Sequence, residues 1–148
     1  MTSYTLKRRT AIAAIAVGLA SCLLVPATAS AEGAKRDRVV MQVSDNDPAK
    51  WNLALNNAHN LQQNLGAKNV DVEIVAYGPG INMFKAESVV GNRIGDAKKA
   101  GVRFEACENT MQAMKLTKAD MLDTVSYVPG GVIEIMRREQ EGWAYIRP

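Results

Sequence analysis

Histidine occurs once and cysteine twice in this 148-residue sequence. With His59 alone, a histidine-ligated zinc site or a histidine-based catalytic relay lacks its parts. Cys22 falls in an N-terminal segment argued below to be removed. One remaining cysteine cannot cross-link its own domain, which excludes a disulfide scaffold. No G-x-G-x-x-G or P-loop pattern occurs, and Asp45 and Asp47 would repel a phosphate at the first strand's loop, which argues against nucleotide or flavin binding. A G-x-S-x-G elbow is also missing, and with it a serine hydrolase. No long basic run is present, so nucleic-acid binding is set aside. Internal repeats, low-complexity stretches and linkers are absent too, leaving a single domain.

The longest apolar run, Ala11 to Val25, is also short. It holds about 15 residues where a bilayer span needs ~20, and no stop-transfer charges follow. With Lys7, Arg8 and Arg9 before it, Pro26 breaking it and Ala29-Ser30-Ala31 after it, Met1 to Glu32 reads as a secretory signal cleaved after Ala31. Leu19-Ala20-Ser21-Cys22 also fits a bacterial lipobox, with a lipid anchor at Cys22 as the alternative. Leu23, Leu24 and Val25 extend the apolar run where a lipoprotein turns polar, which favours cleavage at Ala31. Arg8-Arg9 hints at twin-arginine export, but Thr10, Ala11 and Ile12 fit that signal poorly, and Sec-type export is preferred. The expected location is the periplasm or the extracellular medium.

Cleavage leaves 117 residues, Glu32 to Pro148. Removing Lys7, Arg8 and Arg9 from eighteen basic residues leaves fifteen, balancing the fifteen acidic ones. The net charge of +3 therefore belongs to the leader.

Glu32 to Asp37 reads as a loose lead-in. Arg38 to Val43 reads as a buried strand. Asp47 then offers an N-cap with Pro48 at the first helical position. Trp51, Leu55, Ala58, Leu61 and Leu65 recur at three- and four-residue steps, predicting a helix over Ala49 to Leu65 that Gly66 stops. Val70 to Tyr77 is the second strand, ended by Gly78-Pro79-Gly80. After a less regular stretch, Ile81 to Glu87, a helix is expected over Ser88 to Ala100. Val102 to Ala106 follows as a strand, Glu108 to Leu116 as a helix, and Lys118 to Leu122 as one further turn. Thr124 to Val128 (strand), Val132 to Glu141 (helix) and Trp143 to Ile146 (strand) complete the chain. This alternation predicts an α/β fold: a mainly parallel sheet of about five strands with helices on both faces.

In such a sheet, ligands bind outside the carboxyl ends of the strands. Four loops fall there: Ser44 to Asp47, Gly78 to Asn82, Cys107 to Thr110, and Pro129 to Gly131. Cys107 sits at a strand-to-helix corner. A helix start favours its thiolate, while Glu105 and Glu108 oppose it, so the sign of the shift stays open. The competing reading is a small buried hydrophobe. Cys107, Met111 and Met114 share one helical stripe, which raises a soft-metal Cu(I) reading beside that of methionines as core filler. Asn52, Asn56, His59 and Gln63 form an uncharged stripe suited to a subunit contact or a solvated face.

Arg103-Phe104-Glu105-Ala106-Cys107-Glu108-Asn109-Thr110-Met111, Val125 to Val132 with its Pro129-Gly130-Gly131, and Gln140-Glu141-Gly142-Trp143-Ala144-Tyr145-Ile146 together resemble the DsrE/DsrF-like family, in an exported branch. The resemblance spans about Arg38 to Pro148. It implies a three-layer α/β/α domain assembling as a homotrimer or homohexamer. In the family's sulfur-relay members a cysteine near this place holds sulfur as a persulfide and passes it between protein partners. Cys107 inherits that role, with a protein donor and acceptor of sulfur implied. Gly78, Gly80, Asn82, Asn109, Gly130 and Gly131 are the candidates for lining its surroundings and supplying donors; ordinary turn chemistry is the other account of each. No cofactor and no metal is expected. The leading expectation is a sulfur carrier or sulfurtransferase-like partner. The alternative is a non-catalytic oligomeric module with a buried cysteine.

Overall fold

The computed structural model describes residues 36–148. The expected leader and cleavage site, the lipobox alternative and most of the expected lead-in lie outside the described residues. Five strands form one sheet: β1 (Asp37–Val43), β2 (Val70–Ala76), β3 (Arg103–Cys107), β4 (Ser126–Val128) and β5 (Ala144–Ile146). Every pairing is parallel, in the order β4-β3-β2-β1-β5. The expected α/β fold is therefore present, with an entirely parallel sheet. Asp37, assigned to the lead-in, belongs to β1 and pairs with Val70.

Strand side chains alternate between faces, and the two faces differ here. Val39, Met41, Val43, Val72, Ile74, Ala76, Phe104 and Ala106 enter one large apolar core. Helix α1 (Pro48–Leu65) covers that core with Trp51, Ala54, Leu55 and Ala58, and α2 (Gly91–Lys99) adds Ile94. Phe84 and Phe104 meet edge to face inside it, ring centroids 5.7 Å apart. The opposite face carries α4 (Gly131–Gln140) over a small cluster of Val40, Val75, Ile135 and Trp143.

Helix α1 begins and ends where its caps direct. The Asp47 carboxylate accepts from the Ala49 N–H at 2.8 Å, Pro48 occupies the first position, and Gly66 closes it with φ of +87°. The shorter elements depart from expectation. The irregular stretch after β2 is a 3-10 helix, Gly78–Phe84. Helix α2 starts at Gly91, three residues late, because turns closed by Ser88 N–H on the Lys85 carbonyl and Gly91 N–H on the Ser88 carbonyl precede it. Helix α3 (Glu108–Ala113) ends early: Lys115 adopts φ of +55°, and a capping box between Thr117 and Asp120 opens a separate 3-10 turn, Lys118–Asp120. Strand β4 begins at Ser126 and β5 at Ala144, both later than predicted. No helix among the described residues is long and apolar enough to cross a membrane.

Candidate functional site

Strand β3 carries Phe104 and Ala106 into the large core, which turns Arg103, Glu105 and Cys107 toward the α4 side. Cys107 is the last residue of β3 and the N-cap of α3. Only 4 % of it is exposed. It lines a pocket of about 260 Å³ together with Tyr77, Asn109, Thr110, Gly130, Gly131, Val132 and Ile133. A buried cysteine thus still borders open space.

Backbone bonds between the loops hold this pocket in shape. The Asn109 N–H donates to the Pro129 carbonyl at 3.2 Å, tying the start of α3 to the loop before α4. The Gly78 N–H donates to the Thr110 hydroxyl at 3.0 Å, tying α3 to the end of β2. With its acceptor side filled, the Thr110 hydroxyl can turn its own hydrogen to the sulfur.

The thiol's electrostatics follow. Burial pushes the Cys107 pKa up, because a thiolate loses solvation. The Thr110 hydroxyl and the N–H groups of Gly131, Thr110 and Asn109 around the sulfur act the other way and favour the thiolate, so the net shift is below the ordinary cysteine value. Glu105, on the same strand face, does not reverse it. Its own carboxyl is pushed up, first by burial and then by Glu73 and Glu134, with Arg103 and Lys98 partly offsetting both. Tyr77 also holds its proton more tightly than a free phenol, chiefly through burial.

The residues predicted for the site divide into three groups. Asn109, Gly130 and Gly131 line the Cys107 pocket. Gly78 and Asn82 line an adjoining groove with Pro79, Asn109, Thr110, Ala113 and Met114. Gly80 lines neither. A Cβ there would lie 2.3 Å from the Val43 carbonyl oxygen, so Gly80 serves the close approach of two backbones. Thr110 and Tyr77 are site residues that the sequence did not single out. The hydrogen bond that positions Thr110 spans 32 residues, so no local pattern announces it.

Placement bears on two other readings. Met111 is buried in the large core, Met114 lines the adjoining groove, and neither lines the Cys107 pocket. The shared cavity that a Cu(I) site needs is not formed. Among the described residues no group of three His, Cys, Asp or Glu is placed to hold a metal ion. On α1, Asn52 and Asn56 accept from the Arg93 guanidinium of α2, and His59 lines the cleft between those helices with Gln62 and Arg93. Most of that uncharged stripe therefore joins α1 to α2. The loop Ser44 to Asp47 is engaged too: Asp45 pairs with Lys50 at 3.1 Å and Arg147 at 3.3 Å, and its carbonyl accepts from Trp51 Nε1 at 2.8 Å.

Comparison with solved structures shows the same architecture elsewhere. A protein of unknown function, MTH1491 from Methanobacterium thermoautotrophicum, matches with 38% identity and a TM-score of 0.72, over 76% of this chain and 99% of that one. The conserved protein of unknown function BT1422 from Bacteroides thetaiotaomicron has 13% identity and a TM-score of 0.62, over 76% and 95%. The ychN protein from E. coli has 10% identity and a TM-score of 0.61, over 76% and 99%. The last two share the fold alone. No curated protein matches. The DsrE/DsrF-like family model matches residues 38–148, from the second residue of β1 to the C-terminus and across the whole Cys107 pocket. On that span, and on the 38% identity with a chain covered almost end to end, this protein belongs to the DsrE/DsrF-like family.

Proposed function

We propose that this protein is an exported sulfur carrier that holds sulfur as a persulfide on Cys107 and exchanges it with protein partners. The family suggests a sulfur-relay-related role. The observation that carries the finer reading is a thiol lining a pocket at a strand-to-helix corner, with polar hydrogens around it that hold its pKa below the ordinary value. Persulfide transfer uses an accessible thiolate. The Cys107 thiolate attacks the outer sulfur of a donor persulfide, R–S–SH. The donor's S–S bond breaks, a new S–S bond forms on Cys107, and R–S⁻ leaves. An acceptor thiolate then takes the sulfur by the same substitution, returning Cys107 to the thiolate. Neither step needs an external oxidant or reductant.

The assembly is proposed as a homotrimer or homohexamer. Val132, Ile133 and Met136, all exposed on the outer side of α4, supply an apolar surface of the kind that oligomers bury. One experiment reads export, assembly and chemistry together: native and denaturing mass measurement of the protein recovered from outside the cytoplasm, before and after brief exposure to a polysulfide. The expected result is an N-terminus at Glu32, a multiple of the subunit mass, and a reductant-reversible gain of sulfur that Cys107→Ser abolishes. Sulfur uptake unchanged in Cys107→Ser would sink the carrier reading. A second reading, a binding or assembly module, draws on the 4 % exposure of Cys107. It requires a thiol that reacts with alkylating reagents only after unfolding.

A further inference from the structure

Helix α4 begins with Gly131, which lines the same pocket as Cys107 and whose N–H favours the thiolate, yet the helix rests on few apolar contacts. Val40, Val75, Ile135 and Trp143, with Tyr77 beside them, make up the whole cluster beneath it. What else fixes the helix lies at its other end. Glu73 of β2 is 0 % exposed, and both its carboxylate oxygens are taken by Arg138. Arg138 Nε donates to Oε1 at 3.1 Å, and Arg138 Nη2 lies 3.0 Å from Oε2. Arg103 Nε donates to Oε2 at 3.1 Å; Arg103 Nη2, 3.0 Å from the same oxygen, lies off the hydrogen-bond axis and keeps no hydrogen-bond partner. The guanidinium carbons of Arg138 and Arg103 stand 5.0 and 4.9 Å from the centre of the Trp143 ring. Glu134 and Glu141 complete the shell around Arg138 at 2.8 and 3.2 Å. Burial alone would push the Arg138 pKa down, but Glu73, Glu134 and Glu141 more than offset it, so the guanidinium stays charged.

These contacts run in register along one strand. Tyr77, Val75 and Glu73 lie at two-residue steps on the same side of β2. Gly131, Ile135 and Arg138 lie at four- and three-residue steps on one side of α4. Gly131 lies against Tyr77, where a Cβ would stand 3.0 Å from the Tyr77 Cβ and Cδ1. Ile135 and Val75 share the apolar cluster, and Arg138 grips Glu73. Seven residues are close to two helical turns, so Arg138 and Gly131 lie at opposite ends of one side of the helix, with the Gly131 N–H among the free donors of its first turn.

We propose that Arg138 and Glu73 are positioning residues for Cys107, their buried ion pair setting the rotation and height of α4 and so aiming the Gly131 N–H at the sulfur. The physical reason is a difference in directionality. A small apolar cluster tolerates sliding and rolling, whereas a guanidinium joined to a buried carboxylate by one hydrogen bond and a second close ion-pair contact restricts both distance and angle. Hydrogen bonds weaken steeply with misalignment, so a donor on a loosened helix is lost before the helix itself is. The proposal rests on Cys107 being the working atom, but not on what it carries.

The test is the pKa of the Cys107 thiol in the folded protein, read from the pH dependence of iodoacetamide alkylation, in Arg138→Met, Arg138→Lys and Glu73→Gln. Near-ultraviolet circular dichroism confirms the fold of each variant. Arg138→Met and Glu73→Gln are expected to raise the thiol pKa, with Arg138→Lys between them and the parent. Leu55→Ala, in the large core, is the control. It is expected to lower the melting temperature and leave the thiol pKa in place, which a merely stabilising role for the ion pair would not separate. Folded Arg138 and Glu73 variants with the parent's thiol pKa would overturn the proposal, as would an equal shift in Leu55→Ala. Should Arg138→Met fail to fold, Arg138→Lys and Glu73→Gln carry the test, since each keeps a polar partner in place. No sulfur donor enters the measurement, so a protein that accepts no sulfur leaves this inference standing.

Discussion

On the side of the sheet covered by α1 and α2, every inward residue of the three central strands is apolar, from Val39, Met41 and Val43 through Val72, Ile74 and Ala76 to Phe104 and Ala106. On the α4 side the same strands present Arg38, Gln42, Glu73, Arg103, Glu105 and Cys107, with only Val40 and Val75 as apolar neighbours. The first side stabilises by removing area from water, roughly 1.5–3 kcal/mol for each fully buried large side chain. The second gains little in that way, and buried ion pairs add little net stability once their desolvation is counted. What they add is direction. The Cys107 sulfur lies on the side held by oriented bonds, opposite the side held by bulk packing. The comparison teaches that stability and aim are supplied by different faces of one sheet.

Three substitutions can break or sharpen that division. The largest effect is expected from Phe84→Ala. Phe84 is 0 % exposed and stacked edge to face on Phe104, and its loss should cost about 3–5 kcal/mol in urea unfolding. If the faces are separate, the thiol pKa of the folded variant stays where it was. Thr110→Val is next and works the other way. It removes the hydroxyl that accepts from Gly78 and faces the sulfur. Losing a hydrogen bond to a charged group, about 1.5–3 kcal/mol, should slow alkylation near neutral pH by about tenfold or more with much less change in unfolding. Equal losses in reactivity and stability would mean that Thr110 matters only for packing.

The smallest effect is Glu105→Gln. Because burial, Glu73 and Glu134 raise the folded carboxyl above its ordinary value of 4.5, the folded state binds this proton more tightly than the unfolded chain does. Glu105 therefore costs nothing below the ordinary carboxylate pKa and destabilises as pH rises through its folded pKa. Glu105→Gln should be more stable than the parent at neutral pH, with the gap closing as pH falls through the raised folded pKa and gone below about 4.5. A gap independent of pH would assign the effect to shape instead of charge.

The sequence carried the large-core side well, because that side is written in local patterns. The Asp47-Pro48 start, the three- and four-residue steps of α1 and the Gly66 stop all act within a few positions, and the structure reproduces them. The corner at Cys107 was also legible, as was its place beside Asn109, Gly130 and Gly131. The α4 side was not. Glu73 and Arg138 are 65 residues apart, and Gly78 and Thr110 are 32 apart. A lone acidic residue in a strand or threonine in a short helix gives no sign of a partner that only the folded topology supplies. Helix α3 was overdrawn for a related reason. Lys115 turns left-handed where the helical stripe would have continued through Leu116, and the Leu116 N–H returns to the Met111 carbonyl at 2.8 Å.

The strand order has a bearing on folding. Strand β1 lies second from one edge, and its outer neighbour, β5, is separated from it in sequence by every other described strand. Until Ala144, Tyr145 and Ile146 pair with Val39, Val40 and Met41, the seven-residue margin of β1 offers open backbone groups to any passing strand. Residues 144–146 therefore act as a clasp. Their pairing replaces that long margin with the three-residue edge of β5.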